Sequence, residues 1–422
     1  MQPQIVNQPE AVHLDRTAAE LIDPVCEFYT DHPYPPPVEN LDRARDEWQD
    51  ENRQRSEFHL FWPHKRYRAD LDILIAGCGT WQAAKYALCR PAARVVGIDV
   101  SKTSLDHTER LKRQYELANL ELEQTPIERA ADLDQRFDLI VCTGVLHHLN
   151  DPDAGLRALR SALKPDGAIY LMVYAPYGRA GVYLLQDYCR RLGIGTSAHE
   201  IDNLATVVEA LPPHHPLAIL LRGSRDALNA DALADALLNP RDQSFSVSKL
   251  FDFIERNDLE FGRWYWQAPY LPHCGSIAAT PHAKLIAQLS EREQCAAMEL
   301  WRGTMTCHSL VACRSGTSGN GASFSFAGNR WSSFVPLRLP NTMCVEQRLP
   351  AGAAGVLLNR SHPFHDLILV INAQEKRLLD RIDGRRSIAE IVNDAESGSF
   401  NPRDFFQKLW WYDQVVFDTS QS

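Results

Sequence analysis

The chain has 422 residues, 45% hydrophobic and 23% charged, with a formal net charge of -10. That length exceeds what one core usually fills, so two or three domains are expected. The acidic balance argues against nucleic acid as a partner, since phosphates require a basic face, and no apolar run approaches membrane-spanning length. The N-terminal MQPQIVNQPEAVHLDRTAAE lacks the apolar stretch of a signal peptide. The ten cysteines are scattered without a CxxC, which leads us to expect buried, reduced thiols in a cytoplasmic protein. The histidines form no HExxH or similar cluster, so no metal is expected.

Residues 1–70 read as a polar arm, helical in places and broken by HPYPPP (His32–Pro37). Proline at that density forbids regular helix and favours extended chain. From Asp72 short apolar runs alternate with helical patterns. The runs ILIA (Ile73–Ala76), RVVGID (Arg94–Asp99), LELEQ (Leu120–Gln124), FDLIVCTG (Phe137–Gly144) and AIYLMVY (Ala168–Tyr174) read as successive strands. Near-continuous apolar strands suit a parallel sheet covered on both faces. Between them, Leu105, Thr108, Leu111 and Tyr115 recur at one-turn spacing, and so do Leu156, Leu159 and Leu163. KPDG (Lys164–Gly167) is expected to end the second of these helices ahead of the fifth strand. The alternation implies a doubly wound, Rossmann-like α/β domain over about 71–314.

Within that domain, a mostly helical stretch at about 176–261 is too long for a connection and reads as a cap over the sheet's carboxyl edge. FGRWYW (Phe261–Trp266) and HSLVACR (His308–Arg314) then supply an antiparallel edge pair, which completes a mostly parallel sheet of seven strands. Residues 315–329, rich in glycine and serine and without charge, have linker composition. Residues 330–422 read as a small, separate α+β unit of helix, turn, helix and short strand, winged-helix-like in order. A homodimer is among the assemblies open to this chain.

The stretch DILIAGCGTWQAAKYAL (Asp72–Leu88) runs from strand to glycine turn to helix, which is how α/β proteins cradle a nucleotide. A dinucleotide fingerprint wants a third glycine where this chain has Gln82. Asp99, at the end of the second strand, suits the hydroxyls of a ribose in either a dinucleotide or S-adenosylmethionine; the alternative role is a helix cap near Ser101–Ser104.

The choice between those ligands comes further on. Phe137–Tyr174 carries a fourth strand, an HHL-x-DP turn, an amphipathic helix and LKPDG before the next strand. With GCG (Gly77–Gly79) and GID (Gly97–Asp99), it resembles the class I S-adenosylmethionine-dependent methyltransferases. The resemblance implies S-adenosylmethionine as cofactor. It implies that Ala76, Gly77, Cys78 and Gly79 approach the methionine part, that Asp99 and Val100 hold the ribose, and that Pro126, Ile127 and Glu128 flank the adenine. Thr143 and Gly144 would lie beneath the methionine moiety, with His147 and His148 at the cavity mouth. Two positions depart from the family. Ile75 stands where an acidic residue usually faces the cofactor's amino group, and Thr80-Trp81 stand where a third small residue is common. The ammonium then needs another acceptor, such as backbone carbonyls.

Methyl transfer from a sulfonium is an in-line displacement that needs alignment and exclusion of water. A base helps where the nucleophile carries a proton, and His147 and His148 are the candidates, His147 ahead. One of the two is expected to be structural. Tyr34, in the proline arm, is a further candidate over cofactor or substrate. Tyr174, Tyr177 and Arg179 follow the fifth strand and are expected to line the acceptor pocket. LLDRIDGRRSIAEIV (Leu378–Val392) looks like the small winged-helix module of the pyrroloquinoline quinone peptide-chaperone type, which binds a peptide substrate in that family. The leading expectation is therefore a methyltransferase for a small organic acceptor. The alternatives are a protein or peptide methyltransferase, a binder of S-adenosylmethionine without turnover, and, most distantly, an NAD-dependent oxidoreductase.

Overall fold

The computed structural model describes residues 23–222, 229–316, 324–393 and 401–421; the first part of the expected arm and residues 317–323 of the expected linker lie outside them. The central sheet comprises β1 (Asp72–Ala76), β2 (Arg94–Asp99), β3 (Leu120–Gln124), β4 (Phe137–Thr143), β5 (Leu163–Tyr174), β6 (Leu259–Trp264) and β7 (Cys307–Arg314). Their order is β3-β2-β1-β4-β5-β7-β6. The first five strands pair in parallel, and β7 runs antiparallel to both β5 and β6. The order reverses between β1 and β4, so a crevice opens there at the carboxyl ends of the strands.

The apolar runs have the cause the sequence suggested, because the sheet is covered on both faces. On β1, Leu74 and Ala76 join one core and Ile73 and Ile75 the other. The flanking helices start on local signals. Ser101 caps Lys102–Gln114 and Asp151 caps Pro152–Ala162, which begins on proline. One boundary differs. Lys164–Gly167 does not stand between helix and strand but forms the start of β5, directly behind the helix. Lys164 Nζ meets the carboxylates of Asp72 at 2.6 Å and Asp138 at 2.9 Å, and the pairing with β4 shifts register between Phe137 and Leu139. Those long-range ion pairs hold extended a segment whose local signal is a turn.

The cap is narrower than expected. The helices Ala180–Leu192, Ala198–Glu209, Pro216–Leu221 and Ala230–Leu238 share a small core of their own that includes Val182, Leu185, Leu204, Leu217 and Leu233. The next helix, Val247–Glu255, buries Leu250 and Phe253 in the main sheet core instead. In the arm, helix Pro24–Asp31 leans Phe28 on Ile201 and Ala234 of the cap. Helix Glu51–Phe61 buries Phe58 and Phe61 under the sheet and turns Leu60 towards Leu337, Leu339 and Val416 of the C-terminal unit.

That unit contains β8 (Val335–Arg338) paired with β12 (Val415–Asp418), and a three-stranded antiparallel sheet of β9 (Thr342–Val345), β10 (Gly355–Asn359) and β11 (Ile368–Ile371). Three helices, Ala373–Leu379, Ile388–Asn393 and Pro402–Trp411, precede β12. Phe324 and Phe326, at the end of the expected linker, pack edge-to-face with Phe334 and Phe417, so that end belongs to this core.

The unit is joined to the sheet domain through a buried polar contact. One Asp413 oxygen accepts the Ala268 N–H at 2.9 Å, and the other lies 3.6 Å from the Arg263 guanidinium. Burial pushes the Asp413 carboxyl up to about 7, against the pull of Arg263 and of backbone donors, and burial also lowers Arg263. A carboxyl that holds its proton more tightly when folded loses stability as pH rises from its unfolded value, about 3.9, to its folded one. Asp413→Asn removes that titration. The variant's stability relative to the parent chain is therefore expected to rise between about pH 4 and pH 7, by at most about 1.4 kcal/mol per pH unit, and to level off above. Urea unfolding across that range reads the difference.

Candidate active site

Behind β1 the chain turns through Gly77 and Gly79, both left-handed, at φ +73° and +55°. A side chain is excluded at either position. A Cβ on Gly77 would overlap Val145, and one on Gly79 would sit 3.0 Å from Pro35 Cδ and 3.3 Å from the Tyr34 carbonyl oxygen. The turn is pinned to β2, because Gly77 and Cys78 both donate to the Ile98 carbonyl at 2.9 Å. Asp99 accepts the N–H of Gly79 at 2.8 Å on one oxygen and the N–H of Ser101 at 2.9 Å on the other. Burial raises its carboxyl, and the backbone donors of Ser101, Gly79 and Val100 oppose the rise. Each oxygen retains acceptor capacity, as a ribose diol requires. Helix Lys102–Gln114 is capped by Ser101, so Asp99 is left to the turn and the crevice.

Gln82, at the missing third glycine, donates to the Thr143 hydroxyl at 3.0 Å and so ties the cradle to the end of β4. Ile75 is fully buried, in the core on one face of the sheet, and is absent from the cavity wall beside the glycine turn. Gln82 and Thr143 are the polar side chains lining that part of the cavity.

A cavity of about 440 Å³ runs along the switch point. Of the expected residues, Gly77, Cys78, Gly79, Asp99, Val100, Ile127, Thr143 and Gly144 line it, as do Tyr34, His148, Tyr174 and Arg179. The others stand outside its lining. Ala76 is core. Pro126 and Glu128 flank Ile127 at the start of a short helical turn, with Glu128 exposed. Tyr177 is exposed at the start of the cap.

His147 is also outside. It is fully buried, its ring lies 3.8 Å from that of Tyr174, and neither ring nitrogen has a hydrogen-bond partner. Burial, then His148 and Arg179, push its pKa well below the ordinary value, so the ring is neutral. Its backbone carbonyl accepts the Gln243 N–H at 2.9 Å and anchors the chain behind the cap. His148 is the one in the cavity wall. Its Nδ1 donates to the Arg241 carbonyl at 2.6 Å, which leaves Nε2 as the lone-pair nitrogen, buried and without a partner. The order of preference between the two histidines is therefore reversed.

Arg179 lines the cavity as expected, but its guanidinium is engaged within the protein. It lies 3.5 Å above the Tyr174 ring and pairs with Asp242 at 3.2 Å. Tyr34 is held over the cradle by the arm, where Thr80 Oγ1 donates to the Pro35 carbonyl at 2.7 Å. Among the cavity residues that escaped the sequence reading are Tyr29 and Asp235. Tyr29, from the arm, donates to Asp235, from the cap, at 2.7 Å. The pair is formed by residues far apart in the chain, in two amphipathic helices without a motif, so no local signal points to it.

The residues present fit S-adenosylmethionine: a glycine turn that a Cβ would fill, a carboxylate with free acceptor capacity at the end of β2, and a cavity joining them. Comparison with known proteins agrees. Residues 74–169 match the family model described as a methyltransferase domain. An uncharacterized protein of Synechococcus sp. is 33% identical over 45% of this chain and 47% of its own length. The ubiquinone biosynthesis O-methyltransferase of Neisseria meningitidis serogroup C is 29% identical over 32% of this chain and 59% of its own. The matched region spans about half the length of these curated relatives. PKMT2 from Rickettsia typhi superposes over 91% of this chain and 76% of its own, with a TM-score of 0.61 at 16% identity; its complex with AdoHcy superposes with a TM-score of 0.58. At that identity the likeness is one of fold.

Asp99→Ala is expected to weaken S-adenosylhomocysteine binding by about 1–3 kcal/mol, the scale for losing a charged hydrogen-bond acceptor. Calorimetric titration measures it, and near-parental affinity would place the nucleoside elsewhere. Residues 74–169 are thus a methyltransferase domain of the class I fold, and the cradle it builds fits S-adenosylmethionine as cofactor.

Proposed function

We propose that the protein methylates a small organic acceptor held at the far end of the cavity, beneath the arm and the cap. The observation that carries this reading is the continuity of one cavity. Its wall joins the cradle residues Gly77, Gly79 and Asp99 to Tyr29, Tyr34, His148, Tyr174 and Asp235. Bound S-adenosylmethionine supplies an electrophilic methyl group on a sulfonium. The protein's part is to place the acceptor atom in line with that methyl and to keep water out. The arm does both, through Tyr34 over the glycine turn and Tyr29 against the cap. His148 Nε2 is the proton acceptor in this scheme, held in its tautomer by Arg241.

A polypeptide acceptor is the second reading. It is motivated by Met343, Ile368 and Val370, exposed apolar side chains on the small sheet of the C-terminal unit. Transfer of labelled methyl from S-adenosylmethionine to a panel of small acceptors, beside transfer to intact proteins, separates the two. Labelling of proteins alone would displace the small-acceptor reading, and binding without any turnover would favour a non-catalytic binder.

His148→Asn is expected to retain S-adenosylhomocysteine affinity and to lower the methyl-transfer rate by about 10²–10⁴-fold, the usual contribution of a positioned base. An unchanged rate would remove His148 from the chemistry.

A further inference from the structure

The acceptor end of the cavity carries an unbalanced charge. Three residues of the wall are formally charged apart from His148: Asp99, Asp235 and Arg179. Asp99 belongs to the nucleoside cradle. Arg179 is offset by Asp242, at 3.2 Å. Asp235 is only 3% exposed, and its hydrogen-bond partners are two neutral phenols, Tyr29 at 2.7 Å and Tyr174 at 3.5 Å. Among the described residues no cation lies within ion-pair distance of it. A buried carboxylate without a counter-charge is costly. Here it faces a space walled by tyrosine rings, which also favour a cation, and His148 is part of the same wall.

Resting on the methyltransferase reading, we infer that the acceptor is an amine that enters as an ammonium ion on Asp235 and is methylated on nitrogen. The charge selects the amine, and the tyrosines orient it. For reaction the nitrogen must give up one proton, and His148, in the same wall, is the base that takes it in this scheme. The freed lone pair forms the N–C bond as the C–S bond breaks, and the bonding pair stays with sulfur as a thioether. The positive charge ends on the methylated ammonium, and the proton leaves through His148, so atoms and charge balance.

Asp235 also ties the arm to the cap through Tyr29, and a tie alone would give it a merely structural reason. Asp235→Asn separates the two roles, because an amide oxygen still accepts from Tyr29 but carries no charge. The test is binding of n-butylamine and 1-butanol to the protein saturated with S-adenosylhomocysteine, followed by ligand-observed NMR. The expected result is at least a ~10-fold preference for n-butylamine, the factor that about 1.4 kcal/mol gives. That preference is expected to be lost in Asp235→Asn and retained in Tyr29→Phe, with S-adenosylhomocysteine affinity unchanged in both. Equal binding of the two probes, or a preference that survives Asp235→Asn, overturns the amine assignment and leaves the methyltransferase reading standing. Failure of the parent protein to bind S-adenosylhomocysteine overturns both.

Discussion

The structure depends on the tie between the turn after β1 and the end of β2. Gly77 and Gly79 adopt left-handed backbone, and side chains there would meet Val145 and the proline arm, so both positions call for glycine. Three N–H groups of that turn are then satisfied by β2 itself, two by the Ile98 carbonyl and one by the Asp99 carboxylate. The same contacts that fold the turn leave its outer face bare and put a carboxylate beside it. The groups that fold the turn are thus the ones the cofactor reading relies on, and a change at Asp99 removes the carboxylate that holds the Gly79 N–H.

Around that fixed floor the rest of the site is assembled from parts with no register of their own in the sheet. The arm docks through Pro35 on Thr80 and through Phe28 on the cap. The cap is held down by backbone contacts from both histidines, Gln243 on the His147 carbonyl and Arg241 on His148. The HH turn therefore has two roles divided between its residues. His147 is neutral, buried and stacked on Tyr174, and acts as a support. His148 shares the support and lies in the cavity wall. Burial, which no motif encodes, decides which histidine does which.

The C-terminal unit is more than an appendage. Helix Glu51–Phe61 buries one side against the sheet and presents Leu60 to Leu337, Leu339 and Val416. Asp413 reaches the backbone at Ala268, and Gln267 donates to the Trp410 carbonyl at 2.7 Å. Removing the unit would expose these groups together, so the arm and the unit are coupled in stability. Because the arm also supplies Tyr29 and Tyr34, that coupling extends to the active site.

The sequence by itself determined the sheet domain and its cradle. Period, glycine position and strand-end chemistry are local, and they sufficed for β1 to β4, for the body of β5 and for the turn at Gly77–Gly79, while the class of cofactor came from resemblance to a known family. What it could not reach were contacts between residues far apart in the chain. The start of β5 was hidden because Lys164 is held by Asp72 and Asp138 on other strands. The roles of His147 and His148 could not be separated because adjacent, identical side chains differ only in what surrounds them. Tyr29 and Asp235 stayed invisible because each lies in an ordinary amphipathic helix, and only the packing of arm on cap brings a phenol and a carboxylate to one cavity wall. Local backbone physics wrote the glycine cradle into the sequence; the rest of the cavity wall exists only through tertiary packing, which alone decides which distant polar groups share a buried space.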